Sequence, residues 1–296
     1  MESKGTLVLV RSRAADYVTM MKPELTFLSV LTALAGYFLG ADGVFHGFGM
    51  MHILVGTALV GGGAGALNQV LERKYDALMK RTEHRPMPAG RLSVLEGSVF
   101  GSGLSLAGIA YLLVLVNPLT ALLAAVTSAT YLYLYTPLKR ITPVSTLIGA
   151  IPGALPPVMG WTAARNSLDF DSWVLFGILF FWQMPHFLAL AWMYRKDYTR
   201  AGYRLLTVLD GEGTRTGTHI LVYAVLLCIV STLPVVTGGL GVVYGVSALI
   251  LGGAMIVPSV RLLRLRSNPA ARTLFFASLL YLPALMLAMV IDKLMF

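Results

Sequence analysis

MHILVGTALVGGGAGALNQVLERKYDALMKRTEHRPMPAGRLS, residues 51–93, changes character near its middle. Residues 51–71 contain no Asp, Glu, Lys or Arg, whereas 72–96 contain six Lys and Arg. A helix rises about 1.5 Å per residue, so about 20 apolar residues cross the hydrocarbon core of a bilayer. An amphipathic surface helix would carry charge along one face, and 51–71 carries it on none. The stretch reads as a membrane span that ends in a basic polar loop.

Eight further runs of the same kind follow outward from it, giving nine expected spans at about 25–41, 51–71, 97–116, 118–135, 144–163, 172–194, 219–237, 240–258 and 273–291. Asn117-Pro118 and Gly238-Gly239 read as tight turns between consecutive spans. The whole 296-residue chain supports this: 56% of it is apolar and 12% charged, against about 25% charged in soluble domains. That excludes a disordered chain, a collagen-like fibre and an ordinary water-soluble domain. The single cysteine, Cys228, excludes an intrachain disulfide.

Charge sets the expected orientation. Of 23 Lys and Arg, 21 fall in the N-terminal segment or in loops on one side, leaving only Arg165 and Lys293 opposite. By the positive-inside rule the N-terminus is cytoplasmic, and nine spans put the C-terminus outside. The expected organisation is a cytoplasmic tail over 1–24 and one transmembrane domain over 25–296. No cleavable signal peptide is read, so the first span serves as an uncleaved signal. The net charge of +9 lies between apolar runs, which points to lipid headgroups or a phosphorylated substrate and not to nucleic acid. Two long basic loops, 72–96 and 195–218, follow spans two and six, a spacing that suggests either an internal duplication or mere variation in loop length.

Asn68, Glu72 and Asp76 recur every four residues at the basic end of the second span. This spacing places them on one helix face, drifting about 40° per step. Two carboxylates and an amide oxygen form the hard donor set that Mg²⁺ prefers. Arg73, Lys74, Lys80, Arg81, Arg85 and Arg91 follow at once. Together, acids and bases can hold a metal and share the oxygens of a diphosphate, whose charge must be neutralised as it leaves. The competing reading is a solvated loop with ordinary positive-inside charges and local ion pairs.

The Asn68-xxx-Glu72-xxx-Asp76 pattern, followed by Met79-Lys80-Arg81-Thr82 and Arg85-Pro86, resembles the UbiA superfamily of membrane-embedded prenyltransferases. TYLYLYTPLKRITP at 130–143, IGAIPGALPPVMGW at 148–161 and FFWQMPHFLALAWMYRKDYTRAGYRLL at 180–206 resemble its haem-farnesylating branch. The likeness runs from about residue 17 to the end, and WQMPHF is its most specific part. It implies an all-α fold of nine helices around a central cavity open at the cytoplasmic face, in a bacterial inner membrane. It implies farnesyl transfer from farnesyl diphosphate to a vinyl group of haem b, with water addition. It implies Mg²⁺ on Asn68, Glu72, Asp76 and Asp197. Arg73, Lys80, Arg81, Arg85, Lys139, Arg140 and Lys196 would take the diphosphate. Haem b enters as substrate, and a haem A synthase or oxidase-assembly protein is the partner such a product suggests. The chain departs from the family pattern where Glu72 replaces the usual Asp and Ala201 stands where a second acid of the later loop would fall. Asp210 and Glu212 are the candidate substitutes. Two rival readings stay open: a UbiA-type enzyme for another acceptor, such as a 4-hydroxybenzoate-like aromatic or chlorophyllide, and a non-enzymatic transporter.

Other groups carry two readings each. Tyr131, Tyr133 and Tyr135, beside Lys139 and Arg140, form either an interfacial aromatic belt or rings for a cationic intermediate. Tyr135, Tyr194 and Tyr198 are the candidates for the second role. His186, behind Pro185 and next to Trp182 and Gln183, either bonds a neighbouring helix or ligates haem iron. Gly61, Gly62, Gly63 and Gly65, with Gly149, Gly153 and Gly160, read as close helix approach. No phosphate-binding glycine loop or dinucleotide fingerprint is present.

Overall fold

The computed structural model describes residues 12–295. Among them, nine helices are long and apolar enough to cross a membrane. A short helix comes first, α1 (Arg13–Met20), and the nine spans are α2 (Pro23–Gly40), α3 (Gly47–Asp76), α4 (Val94–Leu115), α5 (Pro118–Leu138), α6 (Ser145–Arg165), α7 (Phe170–Met193), α10 (Thr214–Val236), α11 (Val242–Leu265) and α12 (Asn268–Met295). Between α7 and α10 lie two short helices, α8 (Arg195–Arg200) and α9 (Leu206–Leu209). The protein is an integral membrane protein of all-α class.

Local chemistry fixes several ends. Ser93 and Glu96 cap each other's backbone N–H at the start of α4, at 3.2 and 2.8 Å. Asn117 caps α5 by accepting from the Thr120 N–H at 2.8 Å, with Pro118 following it. Gly238, at φ 76°, makes the tight turn before α11. Across that turn the buried Asp292 of α12 accepts the N–H of Gly241 and of Tyr244, capping α11.

The spans form two groups. One core joins α2 through α6 around Ile53, Val60, Leu112 and Val158. The other joins α6, α7, α10, α11 and α12, with Ala35 and Leu39 of α2, around Ile178, Leu227, Met255 and Leu274. Without a hydrophobic drive between helices in lipid, close approach of backbones carries the packing. A Cβ on Gly160 of α6 would lie 1.8 Å from the Ala33 carbonyl of α2, and one on Gly63 of α3 would lie 2.7 Å from the Gly101 carbonyl of α4. Pro152, Pro156 and Pro157 sit inside α6, which nevertheless runs unbroken and largely buried.

Two features differ from the expectation. Residues 13–20 are not tail but helix, docked on the bundle through the buried Met20 against Ala66, Val70, Met87 and Leu92. The rest of the expected tail, 1–11, and with it the absence of a cleavable leader, lies outside the described residues. The second difference is in α5, which widens into a π-turn over Thr130–Tyr135. Pro137 just beyond cannot donate to a carbonyl one turn back, and the wider ladder accommodates it.

Alternation of nine spans puts α1, the 77–93 loop, the 139–144 turn and the 194–213 segment at one end. There they interlock: Met79 packs with Ala201 and Tyr203, and the Arg204 N–H donates to the Lys139 carbonyl at 2.8 Å.

Candidate active site

Asn68, Glu72 and Asp76 occupy successive turns of one α3 face at the interlocked end, and all three are buried. Buried polar oxygens need partners, and each of these has one from a different part of the chain. Lys22, just before α2, donates from Nζ to Asn68 Oδ1. Lys139, at the end of α5, donates to Glu72 Oε1 at 2.7 Å. Arg85, in the loop after α3, donates to Asp76 Oδ2 at 2.8 Å. A ladder of three oxygen groups therefore faces a ladder of three cations.

Neutral donors complete it. Asn68 Nδ2 donates to Thr136 Oγ1 at 2.9 Å, which sets the amide with its oxygen toward Lys22. Tyr203 donates to Glu72 at 3.3 Å, and Lys22 reaches the Tyr131 hydroxyl at 3.2 Å. The π-turn is what aims this wall, because Thr136 bonds back to the Tyr131 carbonyl at 2.8 Å within it. The ring of Tyr135 lies 4.3 Å from the Lys139 ammonium.

Burial and charge act on these groups in opposite senses. Burial, joined by repulsion from Arg85 and Lys139, pulls the Lys22 ammonium down to about 7. Burial also works against the charge on Lys139, yet the Glu72 carboxylate beside it lifts that ammonium well above the ordinary lysine range. Burial, reinforced by Glu72, pushes the Tyr203 phenol upward, so it stays a donor.

Other expected residues form an outer ring. Arg140 stacks on Tyr75, with the guanidinium 4.1 Å from the ring, and bonds its hydroxyl. Arg81 lies 5.2 Å from the Tyr194 ring and bonds the Tyr198 hydroxyl at 3.3 Å. A cleft of about 510 Å³ opens beside Glu72 and is lined by Tyr75, Thr136, Arg140 and Tyr203, with Leu71, Leu132 and Ile141 forming an apolar side.

The remaining expected residues have other partners or none in the ladder. Arg73 follows Glu72 by about 100° around the helix, and its guanidinium bonds the Val70 carbonyl of its own helix at 2.8 Å. Lys80 and Lys196 are exposed and form no ion pair among the described residues. Asp197 is held by Arg200 at 2.7 Å. Among the described residues no three His, Cys, Asp or Glu side chains are grouped to hold a metal. Asp210 accepts the Thr216 N–H at 2.7 Å and caps α10, and Glu212 is exposed. His186 shares a 2.8 Å hydrogen bond through Nδ1 with Ser278 of α12, between the rings of Trp182 and Phe275. It therefore makes the interhelical bond, and any ligand would fall to Nε2.

The donor set still suits a hard divalent cation. Asn68, Glu72 and Asp76 offer only oxygen, and each already holds a positive or N–H donor group as a stand-in. Lys22, Thr136 and Tyr203 were not expected in the site. A lysine at a span's basic edge looks like any positive-inside charge, and nothing in its spacing ties it to α3.

A sequence model of the UbiA prenyltransferase family matches residues 29–280. The protoheme IX farnesyltransferase of Koribacter versatilis is 42% identical over 294 residues, covering 96% of this chain and 95% of its own. That of Salinibacter ruber is 44% identical over 277 residues, covering 94% and 98%. Among solved structures, a digeranylgeranylglyceryl phosphate synthase superposes with a TM-score of 0.81 at 15% identity, covering 96% of this chain and 99% of its own. A UbiA homologue from Archaeoglobus fulgidus bound to GPP and Mg²⁺ gives 0.64 at 14%, covering 93% and 99%. At these identities the structures speak to the fold alone.

Proposed function

The chain belongs to the UbiA prenyltransferase family, and from that premise we propose that it farnesylates haem b. Farnesyl diphosphate and water are consumed, and haem O and diphosphate are formed. The observation that carries the acceptor is identity of 39–46% over 80–96% of this chain with eight relatives, each named protoheme IX farnesyltransferase.

The site supports the chemistry. The bond between C1 of the farnesyl group and the diphosphate oxygen breaks, and the electron pair leaves with the diphosphate. Arg85 and Lys139 stand ready to receive that charge, with Arg140 and Arg81 at the rim. A divalent cation held by Asn68, Glu72 and Asp76 would supply further positive charge to the leaving group. Asp197 could join this set only by exchanging Arg200. The vinyl π-electrons of the porphyrin then form the new carbon–carbon bond to C1. Water adds to the cation left on the former vinyl group, and a proton is lost. The Tyr135 ring, and those of Tyr194 and Tyr198 further out, offer π-faces to passing positive charge. The apolar flank of the cleft takes the isoprenoid chain and keeps water from the first cation.

This reading places the interlocked end, and with it the N-terminus, on the cytoplasmic side of a bacterial inner membrane. Residues 25–296, with α1 and Lys22 docked on them, act as one catalytic unit.

The test is turnover in mild detergent with haem b, farnesyl diphosphate and Mg²⁺, read by mass spectrometry of the haem. Haem O that vanishes with EDTA and with Asp76→Asn supports the reading. Diphosphate release with 4-hydroxybenzoate in place of haem would overturn the acceptor and keep the prenyl transfer.

A further inference from the structure

Lys22 is the least accounted-for part of the cation ladder. It takes a left-handed conformation, φ 50° and ψ 64°, although it is neither glycine nor asparagine and stands directly before Pro23. Residues before proline normally stay extended. The conformation persists only where surrounding contacts impose it.

Those contacts come from α1. Buried Asp16 accepts from Arg91 Nε through both carboxylate oxygens, each at 3.0 Å. Arg91 also bonds the His84 carbonyl at 3.0 Å, tying α1 to the loop that carries Arg85. At the other end of α1, Gln69 of α3 donates to the Thr19 and Met20 carbonyls at 2.9 and 3.3 Å. Gly65 leaves room for the Met21 carbonyl, which a Cβ there would approach to 3.0 Å. The chain enters α2 at a fixed place one turn from Asn68, and the Lys22 side chain enters the site from it.

We infer that Lys22 is a further diphosphate-binding residue, and that Asp16 and Arg91 are positioning residues whose ion pair docks α1 so that the Lys22 ammonium stays over Asn68. This rests on the prenyl-diphosphate reading above. Lys22, Lys139 and Arg85 bond residues on successive turns of one α3 face. The contacts of Lys22, an amide oxygen and a phenol, are both neutral, so among the described residues it is the rung without a carboxylate partner. An anion arriving at the ladder would supply the negative partner that this rung lacks.

The experiment uses the full chain in detergent, with inorganic pyrophosphate and Mg²⁺ as the titrated probe. Lys22→Gln should weaken pyrophosphate binding about 10- to 100-fold, the range for losing one charge-assisted hydrogen bond, and Lys22→Arg should restore most of it. Asp16→Asn should weaken it about 3- to 10-fold and raise KM for farnesyl diphosphate while kcat and KM for haem hold. In a Lys22→Gln background, Asp16→Asn should add nothing, because it acts through that lysine. The charge swap Asp16→Arg with Arg91→Asp should recover binding if the pair only docks α1. Wild-type binding that survives Lys22→Gln unchanged overturns the inference alone. So does an Asp16→Asn effect that is just as large without Lys22. A wild-type chain that binds no pyrophosphate overturns the prenyl-diphosphate reading, and this inference with it.

Discussion

Replacing Lys139 by Met separates what the Glu72 pair does for stability from what it does for chemistry. The two side chains are 14% and 7% exposed, with Nζ 2.7 Å from Oε1. At an effective dielectric of about 20 their attraction is about 6 kcal/mol, and burying both charges costs several kcal/mol per ion, so the intact pair is near neutral. Removing one member is different, because a buried carboxylate is left alone at a cost of about 3–5 kcal/mol. The Tyr203 hydroxyl at 3.3 Å offsets about 1 kcal/mol of that. Lys139→Met should therefore destabilise by about 3 kcal/mol, or about 6 °C in Tm for a chain of this size. The double variant Lys139→Met with Glu72→Gln removes both charges and should return to within about 1 kcal/mol of wild type. Turnover should not follow: both variants lose a charge aimed at the leaving group and fall about 100- to 1,000-fold in kcat. Thermal unfolding followed by tryptophan fluorescence in detergent, beside the haem assay, reads both quantities. A double variant no more stable than the single would refute the buried-pair argument. One that regains turnover would refute the role of Lys139 in diphosphate departure.

Glu72→Asp keeps the carboxylate and shortens it by one methylene, so turnover should stay within about 5-fold of wild type; a 100-fold loss would mean that Lys139 cannot follow the shorter acid. His186→Ala removes the Ser278 hydrogen bond, worth about 1 kcal/mol, and should weaken haem binding while farnesyl diphosphate binding holds. Equal loss of both ligands in titrations would assign His186 to helix packing alone. Gly160→Val puts a Cβ 1.8 Å from the Ala33 carbonyl, and backbone cannot yield as a side chain can. It should cost about 3 kcal/mol or more, seen as loss of the monodisperse species on size exclusion; a well-behaved variant would mean that α2 and α6 can separate.

The fold was legible because bilayer thickness imposes a length on every apolar run. Nine runs, Asn117-Pro118 and Gly238-Gly239 all carry that length or its interruption in plain composition. Helix α1 was not legible for the same reason. Arg13–Met20 is too short and too mixed to register as a span, and its docking depends on Asp16 meeting Arg91, 75 residues away. The π-turn escaped too, although Pro137 marks it. A proline after an apolar run reads equally well as the end of a helix, and only the packing of α5 against α3 and α6 keeps the chain helical through it.

The site divides along one physical line. Its oxygens come from one helix, so the spacing of Asn68, Glu72 and Asp76 writes their common face into the sequence. Its cations come from three separate segments, and no spacing relates Lys22, Arg85 and Lys139 to one another. Arg73, the acids' neighbour in sequence, points around the helix from Glu72. The converging partners are set by tertiary path: the corner before Pro23, the π-turn before Pro137, and the loop that returns Arg85 to Asp76. Each is a place where the backbone departs from a regular helix. In a protein whose spans are dictated by lipid, these departures are where the chain can bring a charge to the face that needs it. Lys22, left-handed before a proline and bonded to Asn68, is the clearest of the three.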